Sequence, residues 1–275
     1  MAMSQEHEIE ILPEENIPEI EKHSVPWTIL DVILFFGLWF ASQLFVGVVI
    51  GVVLVATHSH DQLRVQAAGG EGYQHPVAQM IQQGKETPII LLIAFVSVVV
   101  VAPLVEEFLF RFILQGWLEA KLQQFRTPCA SGIAITVASF FFALIHAGDS
   151  GNLGVWPLFF LFLASSIMSV LLLIFGILYL VLLRNVNFTD YLFGKERFFR
   201  PGFIPIAGYC ALGVLFCQGF GILLGYTYKD VNVTPIPIFF FALMLGTLYS
   251  KTKNLSYCIL FHACLNAVAM VLVLI

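Results

Sequence analysis

Seven stretches of the chain carry almost no charge, at roughly 27–57, 88–119, 130–150, 155–184, 204–228, 235–250 and 255–275. A helix that crosses a bilayer needs about 20 mostly apolar residues, so the pattern predicts about seven spans. The first, second and fourth are long enough to tilt, kink or protrude, and the sixth is short. Pro103 lies inside the second and predicts a kink there. Trp27, Trp117 and Trp156 fall near the proposed ends, as an aromatic belt would place them. The polar segments between the runs include the loop "THSHDQLRVQAAGGEGYQHPVAQMIQQGKET", which carries no recognisable signal.

Composition sharpens this picture. Of 275 residues, 59% are hydrophobic and 11% charged, where a soluble domain carries about 25% charged residues. The predicted fold class is all-α, a polytopic transmembrane helical bundle forming one unit over 27–275. Residues 1–26 read as a flexible acidic N-terminal tail. They have no basic n-region or early apolar core and so do not form a signal peptide. A net charge of −5 points to no nucleic-acid partner. The five cysteines show no CxxC pair and read as small core hydrophobes.

Lysine and arginine set the orientation. With the N-terminus inside, nine of the 13 basic residues fall in inner segments and three (Arg64, Lys85, Lys229) in outer ones. Arg111 remains, inside a span. The expected localisation is an integral, multi-pass membrane protein with a cytoplasmic N-terminus, in the plasma (inner) membrane if the host is bacterial.

The candidate chemistry is polar chemistry in the wrong solvent. An ionisable group in a span costs roughly 2.5 kcal/mol or more when charged at the centre, which makes each one a site hypothesis. In "EEFLFR", Glu107 and Arg111 are four residues apart on one helix face and can pair. Glu106 is turned by about 100° and is not neutralised in the same way. One glutamate thus reads as structural and the other as available for proton transfer. The plainer reading is a buried ion-pair network that fixes packing. In "FFALIHAG", Phe142 can pack on His146 one turn later, although a lone histidine in a span is more often a satisfied core residue. In "ILFHACLNAV", His262 and Asn266 project together and can donate to one point, or can simply join helices. Glu106 and His262 both lie on the order of 15 Å from the inner face at 1.5 Å per residue, and His146 can reach that level. One active-site cavity inside the membrane, opening inward, is therefore expected.

A glutamate and a histidine can activate one water, and a second histidine and an asparagine can donate to the oxyanion formed when that water attacks a carbonyl. That set suffices for peptide hydrolysis without a covalent intermediate. No GxSxG or HExxH motif occurs.

EExxxR as "EEFLFR", FxxxH as "FALIH" and HxxxN as "HACLN" resemble, in order, the three motifs of the CAAX prenyl protease 2 and bacteriocin-processing (CPBP, or Abi) family. The closing run "FFFALMLGTLYSKTKNLSYCILFHACLN" resembles that family as well. The resemblance covers about 85–150 and 236–272. It implies an intramembrane glutamic endopeptidase in which Glu106 and His146 activate water and His262 and Asn266 form the oxyanion site. Glu107, Arg111 and Phe142 would support them, and no cofactor would be needed. The substrate would be a peptide or membrane protein in contact with the lipid bilayer, prenylated by the eukaryotic precedent or another membrane-associated peptide by the bacterial one. The sequence departs from a compact member in setting His146 and His262 116 residues apart, which reads as an insert of about two spans at 155–229. Three alternatives stand beside this reading. The first is a zinc metallopeptidase using Glu106, His146 and His262. The second is a transporter using the same residues as a proton relay, although inverted repeats and paired broken helices are not evident. The third is a non-catalytic membrane scaffold.

Overall fold

The computed structural model describes residues 25–56, 87–146, 155–193, 203–227 and 234–274. The acidic tail lies almost wholly outside them. Among the described residues every regular element is helical: α1 (Ile29–Ala56), α2 (Pro88–Gln124), α3 (Ala130–Ile145), α4 (Val155–Arg184), α5 (Phe188–Phe193), α6 (Phe203–Thr227), α7 (Pro235–Thr252) and α8 (Leu255–Leu274). Apart from the short α5, each helix falls on one of the seven apolar runs. Five of them (α1, α2, α4, α6, α8) hold stretches long and apolar enough to cross a membrane, and α3 is a shorter apolar helix. The faces turned outward carry Leu30, Leu44 and Phe45 on α1, Leu182 and Leu183 on α4, and Leu212 and Leu215 on α6. Such surfaces are stable against acyl chains and not against water. The chain is an integral, multi-pass, all-α membrane protein.

The punctuation of the helices is local. Pro88 and Pro235 stand in the first turns of α2 and α7, where a missing N–H costs nothing. Asn185 ends α4 at φ 53°, and Val186 N–H reaches back to the Leu180 carbonyl at 3.1 Å, satisfying one of the helix's last carbonyls. Lys253 ends α7 at φ 48°. Asn254 then caps α8, its side-chain oxygen accepting Tyr257 N–H at 3.3 Å, while its amide nitrogen donates to the Phe193 carbonyl at 2.9 Å. That bond ties the end of α5 to the start of α8.

Several sequence expectations need correction. The second span does not stop near 119 but runs to Gln124, and it is not simply kinked at Pro103. Two π-helical stretches, Val96–Val101 and Phe108–Gln115, interrupt its α-helical turns. The first lies immediately before Pro103, where wider turns relieve the clash of a proline ring with the preceding carbonyls. The third span is shorter than 130–150, ending at Ile145. Trp27 is not an interfacial belt residue. It is 2% exposed, packs on Phe112 and Tyr191, and donates its indole N–H to the Ile113 carbonyl at 3.1 Å. Cys217 and Cys258 are buried as expected, but Cys129 and Cys264 are exposed.

α1 packs along α4, and the contact closes on Asp31. This carboxylate is 2% exposed and accepts from Tyr179 (2.6 Å), Arg184 (2.8 Å) and the Thr28 amide (2.6 Å). α3 lies between α2 and α7. α6 backs α7 and α8 through Gly213, where an added Cβ would run into the Phe261 ring and the Met244 methyl group. Tyr209 Oη also donates to the Met244 carbonyl at 2.9 Å. The stretch 155–229 thus supplies α4, which clamps α1, and α6, which supports the helix carrying His262. Because Phe261 is fully buried, Gly213→Ala is expected to destabilise the bundle by about 1–3 kcal/mol through overpacking. A detergent melt of the variant reads this directly, and an unchanged midpoint would mean that α6 is free to retreat.

Candidate active site

Glu107 is placed by α2 at the mouth of its second π-helical stretch and is 0% exposed. Its two oxygens are used on two different partners. Oε2 accepts from Arg111 Nε at 3.1 Å, and Oε1 lies 2.9 Å from His262 Nδ1 on α8. A carboxylate oxygen accepts, so His262 Nδ1 carries the proton and Nε2 faces away from Glu107. Arg111 is itself 0% exposed, and its Cζ stands 5.1 Å from the centroid of the Phe142 ring. The pairing expected from the EExxxR spacing is present, and it extends across to a third helix.

Glu106, one residue earlier, looks a different way. Its Oε2 lies 3.8 Å from His146 Nε2 and 3.8 Å from His262 Nε2. Both separations exceed a direct hydrogen bond and suit a single bridging water. His146 follows the last turn of α3, and its Nδ1 stands 2.8 Å from the Phe142 carbonyl. A carbonyl only accepts, so this contact sets the His146 tautomer and leaves a lone pair on Nε2. Phe142 stacks on His146 at 4.9 Å and meets His262 edge-on at 5.7 Å, while Phe241 closes the far side of His262 at 5.3 Å. Glu106 and His146 keep partial access, with 15% and 24% of their side chains exposed, against 5% for His262.

The proton count of this cluster is informative. With both histidines neutral, Glu106 Oε2 and two imidazole Nε2 atoms would all present lone pairs to one point, and a water has only two protons to give. A His262 Nε2 that donates to this point rather than accepting from it would remove the conflict.

Asn266 is one turn further along α8, but its side chain is not aimed only at this point. Nδ2 donates to the Val98 carbonyl in the first π-helical stretch at 2.8 Å. One of its two amide N–H groups is therefore engaged and one remains. Glu106, His146 and His262 converge, and Asn266, one turn beyond His262, braces α2 against α8. Zinc would have to use the same three converging side chains. Among the described residues, no three His, Cys, Asp or Glu side chains are grouped as a metal ion requires. A small apolar crevice between α1, α2 and α4 is lined by Phe35, Trp39, Phe108, Leu172 and other apolar residues and contains none of these groups. Motif reading missed Gln115, Glu119 and Ser139. The first two continue the Glu107–Arg111 face at four-residue steps, which is the signal that could have found them.

Fold and site together define a multi-pass membrane protein with a buried acid–base cluster spanning three helices. A family model described as "Type II CAAX prenyl endopeptidase Rce1-like" matches residues 88–189 and 193–268. The match covers more than half of the chain, which belongs to this Rce1-like family of membrane proteases. The matched ranges include nearly all of 155–229 and leave α1 outside. No curated protein and no solved structure matched the chain.

The Glu107–Arg111 pair yields a stability prediction. Arg111→Ala leaves a fully buried carboxylate without its charge partner, at a cost of about 3–5 kcal/mol. Detergent melts and expression yield should both fall, and a variant as stable as the parent would contradict the pairing.

Proposed function

We propose that the protein is an intramembrane glutamic endopeptidase that cleaves a prenylated, CAAX-type peptide by direct attack of water. The observation that supports it most is Glu106 Oε2 lying 3.8 Å from both His146 and His262. In this reading a water held there gives one proton to Glu106, with His146 Nε2 as the second acceptor. Its oxygen forms the new bond to the scissile carbonyl carbon. The electron pair of the carbonyl moves to oxygen, which is stabilised by His262 Nε2–H and the second amide N–H of Asn266. Glu106 then returns the proton to the departing amine nitrogen as the C–N bond breaks, so that no proton is gained or lost over the cycle. Glu107 and Arg111 touch no reacting atom. They hold His262 in orientation. No step calls for a cofactor.

The substrate follows from the family and the solvent. A prenyl chain partitions its peptide into the bilayer and delivers it to a site opening between helices. The ion pairs Asp31–Arg184 and Glu119–Lys253 both lie at the bundle end that the basic-residue count assigns to the inside. Purified protein should therefore cleave a prenylated peptide and spare the same peptide without the prenyl group. Equal cleavage of both would remove the lipid from the specificity.

Glu106→Gln keeps size and removes the base, so hydrolysis should vanish while the melting midpoint stays near that of the parent. Near-normal turnover would remove Glu106 from this role. Asn266→Ala should lower kcat by about 100- to 1000-fold with little change in KM, because the donor matters mainly in the transition state. Activity should also survive a chelator. Loss of activity on chelation, with one zinc per chain that disappears in His262→Ala, would put a metallopeptidase in place of the glutamic mechanism.

A further inference from the structure

Below the Glu107–His262 contact, the same face of α2 continues as Arg111, Gln115 and Glu119, buried to 0%, 0% and 5% exposure. At the far end Glu119 is satisfied, accepting from Lys253 (2.7 Å), Ser131 (2.8 Å) and Ser250 (3.1 Å). In the middle it is otherwise. Arg111 Nη1 and Nη2, Gln115 Oε1 and Ser139 Oγ are all buried and have no hydrogen-bond partner among the described residues. Arg111 has five N–H donors, and only Nε–H is bound, to Glu107. The Phe142 ring covers a face of the guanidinium, but N–H bonds point out in the plane, so the ring does not satisfy them.

The helix register puts the orphaned groups together. On α3, Phe142 lies against Arg111. Ile135 and Gln115 both border Gly246, where an added Cβ would lie 2.9 Å from Ile135 Cγ2 and 3.0 Å from Gln115 Oε1. Ser131 bonds Glu119. α3 thus runs down α2 rung by rung. Ser139 is three residues from Phe142 and four from Ile135, on the same face and 0% exposed, between the Arg111 and Gln115 rungs. Unpartnered donors and unpartnered acceptors therefore lie on facing stretches of α2 and α3 within about one helix turn. Buried polar groups are bonded in stable proteins, either to protein or to internal water.

We propose that Arg111, Ser139 and Gln115 bind internal water, one or two molecules that accept from the Arg111 terminal N–H groups and donate to Ser139 Oγ and Gln115 Oε1. This water fixes the guanidinium from below, as Glu107 fixes it from above. Ser139 is then a positioning residue that acts through water, Arg111 and Glu107 on His262. The site itself stands independently of the catalytic reading; the consequence for turnover rests on it.

The test turns on a sign. Deleting a buried hydroxyl that bonds nothing relieves a penalty, whereas deleting one that holds water removes a bond. Ser139→Ala should lower the melting midpoint of the full-length protein in detergent by about 2 °C or more. It should also lower kcat on a prenylated peptide about five- to tenfold, the equivalent of one hydrogen bond, with KM unchanged at temperatures where the variant is folded. An unchanged or raised midpoint overturns the water site. A lowered midpoint with unchanged kcat overturns the positioning role. If Glu106→Gln retains activity, the catalytic reading fails, while the midpoint of Ser139→Ala still decides the water site. An experimental structure that shows ordered water gives a second check. A peak within about 3 Å of Ser139 Oγ and an Arg111 terminal nitrogen is expected, and direct bonding between the two side chains would refute the proposal.

Discussion

The site depends on one carboxylate with two partners. Glu107 holds Arg111 along its own helix and His262 across to α8, with no exposure to solvent. In an apolar bundle neither charge can be left alone, because an unpaired buried ion costs more than most helix contacts return. The pair therefore dictates where α2 and α8 stand relative to one another. It also decides the chemistry of His262. A ring whose Nδ1 proton is committed to Glu107 presents Nε2 to the neighbouring glutamate.

Adjacent residues on a helix point in different directions, and this separates the two glutamates. Glu107 is turned into the packed interior, and Glu106 is turned toward the gap between two imidazoles, where partial access remains. The second π-helical stretch begins at the residue after Glu107 and carries the buried Arg111 and Gln115. Such turns are often found at functional sites. Here the wider turns keep Phe108, Phe110 and Phe112 in the core together with the two polar side chains.

Much of this was legible in the sequence because membranes make a strict solvent. Long apolar runs located the seven principal helices, and the four-residue spacings of Glu107–Arg111, Phe142–His146 and His262–Asn266 identified which side chains share a face. Depth placed Glu106 and His262 at one level and allowed His146 to reach it; in the structure both imidazoles lie 3.8 Å from Glu106 Oε2. What stayed hidden has physical reasons. A π-helical turn depends on which carbonyl each N–H selects, and an all-apolar run such as "VSVVVV" carries no mark of that choice. Trp27 sits at a span end, where a belt tryptophan and a core tryptophan look alike until a partner carbonyl is found. Asn266 could be assigned to a helix face but not to the Val98 carbonyl, a contact between residues 168 positions apart. Ser139 lies in "ASFFFALI", where one small hydroxyl among apolar residues carries no weight without a neighbouring cation.

The same constraint explains why α1, outside the matched family region, is tied to the rest with polar bonds. Lipid tails are as apolar as a leucine surface, so helix association in a bilayer gains little from hydrophobic burial. α1 compensates at its N-terminal end. Asp31 gathers Tyr179, Arg184 and Thr28, and Trp27 bonds the Ile113 carbonyl within the second π-helical stretch. Trp27 also lies 3.4 Å from the space beside Gly116, so α1 bears directly on the helix turn below Arg111. The clasp and the Glu107 pair grip α2 from opposite sides of the same stretch. Between them the π-helical turns cannot relax to a regular α-helix without losing a buried bond at one end, and this keeps Glu106 facing the two histidines.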